Sequence, residues 1–268
     1  SGARGPGGTG MVLPAAVRDR VAAVHRGSAL SERLRLYDGW AARYEQVPGT
    51  PRPRERRGPR LSPLTAVSPQ DVAALEYRAP HLAAASLAFA FPAPPEGARL
   101  LDVACGTGLV AQELHRRGFR CLHGVDGSAG MLERARSTGL YRELRLCVLG
   151  REPLPAPAEH YDAVTLVGAL GEGQVPSTVL PELLRVTKPG GFLCLTTRSN
   201  PSNLRYKEGL EAALGQLEQS GAWQKLLAQE VECWERATTE EESTQRNGYI
   251  SGVVYIYQKC PVPALEEG

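Results

Sequence analysis

The sequence predicts an α/β fold: a parallel sheet with helices on both faces, closed by an antiparallel hairpin at its C-terminal end. Three observations predict it. From Arg99 onward, short apolar runs alternate with helical patterns, which is how a parallel sheet covered on both sides reads. After the last helical pattern, two strand-like stretches, Glu230–Ala237 and Tyr249–Lys259, follow one another across the polar run Thr238–Asn247. Strands joined without a crossover lie antiparallel. Ahead of Arg99 the chain is helical or proline-rich and is expected to form a helical lid rather than part of the sheet.

Taken in order, Ser1–Gly10 is almost all glycine, small residues and proline and reads as a tag-like or disordered tail before Met11. Residues 14–44 carry apolar positions at helical spacing, in two pieces divided near Gly27-Ser28. Val47–Gln70 holds six prolines and five arginines. Proline at that density rules out a helix or a sheet interior, so a solvated or disordered insertion is expected there. Asp71 is the expected N-cap of a helix over Val72–Phe91, with Pro80 inside it. Strands are expected at Arg99–Ala104, Arg120–Val125, Leu144–Leu149, Tyr161–Val167 and Phe192–Thr197. The helices between and after them are Leu109–Arg117, Ser128–Ser137, Thr178–Thr187 and Leu204–Ser220. Residues 11–268 read as one domain without repeats.

Composition narrows the function. Hydrophobic residues make up 42% of the chain, enough for a sizeable core, and no apolar run approaches the ~20 residues of a membrane span. The first residues lack a secretory pattern. Six scattered cysteines form no C-x-x-C pair, so reduced thiols in a cytoplasmic or nuclear protein are expected, with no metal site. Of 31 basic and 29 acidic residues, five and one fall within Val47–Gln70, which leaves the rest at a net −2. A domain without a basic excess argues against a nucleic-acid partner.

The chemistry centres on Asp102-Val103-Ala104-Cys105-Gly106-Thr107-Gly108, which follows a strand and opens a helix. Glycines let a backbone approach a ligand closely, and the helix start offers free N–H groups. Gly106, Gly108 and Ala111 also satisfy the G-x-G-x-x-A of a dinucleotide site. Asp102 argues otherwise, because a carboxylate there repels a pyrophosphate but accepts hydrogen bonds from a cationic amino group; an N-cap or turn role is its bland alternative. Asp126 ends the next strand, in Gly124-Val125-Asp126-Gly127-Ser128, where it can take both hydroxyls of a ribose.

These residues resemble motif I of the class I methyltransferases, and Thr187-Lys188-Pro189-Gly190-Gly191-Phe192-Leu193 resembles that family's turn into strand five. The resemblance implies a Rossmann-like seven-stranded sheet with an antiparallel C-terminal hairpin. It also implies S-adenosyl-L-methionine as cofactor, S-adenosyl-L-homocysteine as product, and a site that includes Ala104, Gly106, Gly108, Gly127, Ser128 and Met131. Tyr37-Asp38-Gly39-Trp40-Ala41-Ala42-Arg43-Tyr44 is similar to a signature found ahead of motif I. At helical spacing Tyr37, Trp40 and Tyr44 share a face; this is either a core stripe or a cover whose rings attract a sulfonium. Arg78 either pairs with the methionine carboxylate or is a solvated surface residue.

The resemblance implies that the adenine is held after strand three between an acidic or amide contact and an apolar wall, the usual acid coming directly after the strand. Here Gly150-Arg151 stands in that place, leaving Glu152 and the Arg151 backbone as candidates. Val167 and Gly168 follow strand four and are expected near the cofactor's sulfur. The N-P-P-Y-like run of members that methylate nucleic-acid amino groups is replaced there by Gly-Ala-Leu-Gly. Asn200-Pro201-Ser202-Asn203 lies after strand five and reads as a turn and cap. The expectation is therefore methyl transfer to a small-molecule or protein acceptor by a monomer, with no catalytic base assigned and Glu172 read as a solvated loop acid. A cofactor-binding regulatory or partner protein without turnover is the alternative, and a nicotinamide enzyme a distant third.

Overall fold

The computed structural model of the chain describes residues 76–92, 95–245 and 247–261. The tail, the aromatic stripe Tyr37/Trp40/Tyr44 and the insertion 47–70 lie outside the described residues.

Seven strands form one sheet: β1 (Arg99–Val103), β2 (Cys121–Asp126), β3 (Tyr141–Leu146), β4 (Tyr161–Leu170), β5 (Thr187–Arg198), β6 (Trp223–Arg236) and β7 (Tyr249–Lys259). Their spatial order is β3-β2-β1-β4-β5-β7-β6. The first five are parallel, and β7 runs antiparallel to both β5 and β6. The seven-stranded Rossmann-like sheet and its antiparallel hairpin are as the sequence predicts. The helices are α1 (Ala79–Ala90), α2 (Leu109–Arg116), α3 (Ala129–Ser137), α4 (Leu180–Val186) and α5 (Leu204–Gln219).

β1 is buried on both faces, as a central parallel strand must be. Leu101 and Val103 pack with Leu180, Leu183, Leu210 and Leu214 of α4 and α5. Leu100 faces the opposite layer, with Ala83 and Leu87 of α1 and Val110 and Leu114 of α2. Fully burying one such leucine is worth roughly 1.5–3 kcal/mol, so these two layers fix where β1 ends and the glycine loop begins.

β4 ends three residues later than expected, at Leu170, and β5 begins five residues earlier, at Thr187; three further elements differ. A helix running unbroken over Val72–Phe91 is not formed: Glu76 adopts a left-handed φ of 51°, Tyr77 and Arg78 are non-helical, and α1 starts at Ala79. Pro80 therefore sits in the first turn, where its missing N–H costs nothing. β3 begins three residues earlier than expected and ends at Leu146. As an edge strand it tolerates the polar residues Arg142 and Glu143 that read as loop, and the Cys147 N–H already turns over the end of β2 to the Asp126 carbonyl (2.9 Å). β6 is longer than expected because, at the other edge, it too leaves one face to solvent.

The hairpin is tied to the start of α1. The Tyr249 hydroxyl and the Arg236 Nε donate to the Glu76 carboxylate (2.7 and 2.9 Å), and the Arg78 N–H donates to the Trp234 carbonyl (3.1 Å).

Candidate functional site

The carboxyl ends of β1, β2 and β4 lie side by side, which is where open α/β sheets bind ligands. After Val103 the backbone enters the left-handed region at Ala104 (φ 54°), Gly106 (φ 53°) and Gly108 (φ 93°). Ala104 carries a side chain at such a φ, so it holds a small strain of the kind that gathers at functional loops. Gly108 is the N-cap of α2 and provides no side-chain cap, so the first N–H groups of that helix are not capped by their own N-cap residue. The loop is fastened to β2 by the Cys105 N–H on the Val125 carbonyl (3.0 Å).

Asp126 joins the loop to the next helix. One carboxylate oxygen accepts from the Gly106 N–H (2.8 Å) and the other from the Ser128 N–H (2.9 Å). Ser128 caps α3 by accepting from the Met131 N–H (3.1 Å). Ser128 and Met131 are themselves buried, so their side chains support Asp126 and Gly127 from beneath.

Asp102 is only 1% exposed. Its oxygens accept from the Thr165 hydroxyl of β4 (2.8 Å) and the Tyr141 hydroxyl of β3 (2.7 Å). Burial raises its carboxyl to about 6, the two hydroxyls oppose that rise, and the Asp126 charge adds to it. It is thus ionised at neutral pH, with one lone pair of each oxygen committed. Sequence reasoning missed both donors. Thr165 left a signal, a hydroxyl in the otherwise apolar run Ala163–Leu170. Tyr141 left none.

Past β3, Gly150, Arg151 and Glu152 are exposed at a turn. The Arg151 N–H, a candidate for adenine, is instead spent on the Val148 carbonyl (3.1 Å). With Thr178 and Leu183, this turn lines a cavity of about 300 Å³. On β4, Val167 is buried, while Gly168 is exposed and donates its N–H to the Thr196 hydroxyl (2.9 Å). The Tyr77 hydroxyl stands so close to Gly168 that an added Cβ would come within 2.1 Å of it. Arg78 is not brought to the loop. Its guanidinium donates to the Cys233 carbonyl of β6 (3.1 Å), four strand spacings, about 19 Å, from β1.

Beyond Gly168, a cleft of about 90 Å³ opens between the ends of β4 and β5, lined by Glu172, Gln174, Thr197, Asn200 and Trp234. Hydrogen bonds to Ser202 and Glu242 fix the Asn200 amide nitrogen. Its buried oxygen has no donor among the described residues. None of the described helices is long and apolar enough to cross a membrane.

A nucleoside with a cationic amino-acid arm fits this donor set better than a dinucleotide does. The Asp102 carboxylate beneath the loop disfavours a pyrophosphate, while Asp126 suits the ribose of either, and the loop leaves open space at Gly106, where an added Cβ meets nothing within 4 Å.

Comparisons with known proteins agree with that chemistry. A family described as "Methyltransferase domain" matches residues 101–195. Human methyltransferase-like protein 27 is 53% identical over 216 residues, covering 81% of this chain and 78% of that protein. A demethylmenaquinone methyltransferase of Mycobacterium bovis is 30% identical over 180 residues, covering 64% of this chain and 74% of its own. A chain from the complex of the Haloferax volcanii Trm112 methyltransferase activator with a methyltransferase shares the fold, with a TM-score of 0.53 and 18% identity. That match covers 69% of this chain and 91% of the other.

Proposed function

Since this chain belongs to the class I S-adenosylmethionine-dependent methyltransferases, we propose that it methylates a small molecule, bound in the cleft beyond Gly168, using cofactor held by the glycine loop. The observation that carries the reading is the Asp126 carboxylate, locked between the Gly106 and Ser128 N–H groups at the end of the strand next to motif I.

In this reading Gly106 and Gly108 admit the methionine arm and Asp102 receives its amino group. Asp126 and Gly127 hold the ribose. Gly150 and Glu152 edge the adenine, and Val167 and Gly168 run beside the sulfur. Arg78 has no part in it, being engaged with β6. When bound, the cofactor supplies a methyl group already activated on a sulfonium. The chain's task is then to hold an acceptor in line and exclude water, and no catalytic base is assigned.

Two features support a small acceptor. The cleft formed by the described residues is about 90 Å³. The Asn200 oxygen, which meets no donor among the described residues, favours an acceptor bearing an N–H or O–H, because an unmet buried acceptor costs about 1–3 kcal/mol. A protein acceptor presenting one side chain is the second reading. Nucleic acid is disfavoured by the near-neutral charge. The working unit is taken as a monomer.

Labelled cofactor incubated with the protein and a small-molecule extract tests the proposal. A labelled product in the low-mass fraction is expected. Label appearing only in protein would favour the second reading, and tight cofactor binding without any transfer would favour a regulatory role.

A further inference from the structure

We propose that Tyr141, the first residue of β3, is a positioning residue of the cofactor site, holding the Asp102 carboxylate in place while its ring supports the glycine loop. This rests on Asp102 receiving the cofactor's amino group. The Tyr141 hydroxyl donates to Asp102 Oδ2 at 2.7 Å, reaching β1 from two strands away. The reach is open because the backbone between is bare. An added Cβ on Gly124 in β2 would come 2.9 Å from Tyr141 Cε1, and one on Gly108 in the loop would come 3.2 Å from Cε2. Glycine inside a strand is entropically costly, and at Gly124 the seated Tyr141 ring, together with Leu144 Cδ2 at 2.7 Å from an added Cβ, gives it its reason. One aromatic side chain thus packs under the loop that admits the methionine arm and orients the carboxylate that meets its charge.

The groups around Asp102 make the arrangement directional. Burial and the Asp102 charge push the Tyr141 hydroxyl well above the usual phenol range, so it remains a donor. Thr165 donates from β4 to the other oxygen (2.8 Å). The thiols of Cys105 in the loop and Cys194 in β5 are pushed up by burial and stay neutral. Asp126 in β2 is the neighbouring charge that works against ionisation. Removing the Tyr141 hydroxyl takes away a donor that keeps Asp102 ionised, so its carboxyl titrates higher. A cationic arm binds the ionised form, and its affinity falls as pH drops through that titration.

The test compares S-adenosylhomocysteine with 5′-methylthioadenosine, which lacks the amino-acid arm, titrated into the full chain between pH 5 and 8. Wild type is expected to lose S-adenosylhomocysteine affinity below about pH 6 and to bind methylthioadenosine evenly across the range. Tyr141→Phe keeps the ring. It is expected to weaken S-adenosylhomocysteine roughly tenfold or more at pH 7, to move the acid loss to higher pH, and to change methylthioadenosine less than about twofold. Equal losses for both ligands, or a wild-type acid limb in Tyr141→Phe, would overturn the proposal. Thr165→Val, monitored alongside by thermal melting, is expected to shift the limb the same way, and a wild-type limb there would also count against it. Asp102→Asn separates the two readings. If it leaves the preference for S-adenosylhomocysteine intact, the Asp102 assignment itself fails. If it abolishes the preference while Tyr141→Phe does not, only the role of Tyr141 fails.

Discussion

Asp102 and Asp126 lie on neighbouring strands, and the fold treats their charges differently. Asp126 is partly exposed and accepts two backbone N–H groups. Asp102 is buried, and its carboxyl is raised to about 6. A carboxyl that titrates higher in the folded than in the unfolded chain contributes stability below its unfolded value near 4, and that contribution is lost as pH rises through 6. Asp102→Asn is therefore expected to stabilise the ligand-free protein above pH 6, on the order of 3 kcal/mol, with the gain vanishing below pH 4. Melting curves across that range check it, and a gain that grows toward acid pH would reverse the sign. At this scale the sequence showed the carboxylates and glycines, because they are contiguous with a recognisable loop. It hid Tyr141, whose role depends on two glycines from separate segments being bare beneath one ring.

At the scale of elements, the parallel strands and their helices were legible because burial on both faces leaves continuous apolar runs. The edge strands were legible only in part, their first residues being missed. β3 opens with Tyr-Arg-Glu and β6 with Trp-Gln-Lys, polar patterns that solvent on one side of a sheet permits. The break before α1 was also missed, since Asp71–Arg78 is built of good helix formers and the turn at Glu76 is held by contacts with the distant residues Arg236 and Tyr249. The hairpin carries a packing constraint of its own: an added Cβ on Gly252 of β7 would stand 2.3 Å from the ring of Trp234 in β6. Gly252→Ala is expected to lower stability by about 1–3 kcal/mol, the range for overpacking a core. Chemical denaturation measures this directly, and a neutral result would mean that the Trp234 ring is free to move aside.

Across the whole molecule, the strand order brings the ends of β1, β2 and β4 together with the cleft at β4 and β5, so the glycine loop and the cleft share one edge of the sheet. Val47–Gln70 is separate in composition from everything that builds this edge. Deleting residues 47–70 is expected to leave S-adenosylhomocysteine affinity within error and the melting temperature undiminished, because surface insertions carry only a small loop-closure cost. A deletion variant that unfolds or loses the ligand would make the segment part of the domain. The account as a whole depends on cofactor binding at the junction of the glycine loop and β2. Calorimetric titration of S-adenosylhomocysteine into wild type and Asp126→Ala, with the fold of each verified by circular dichroism, tests that most directly. A loss of at least about 1.5–3 kcal/mol in the variant is predicted, and equal affinity in the two folded proteins would contradict the site.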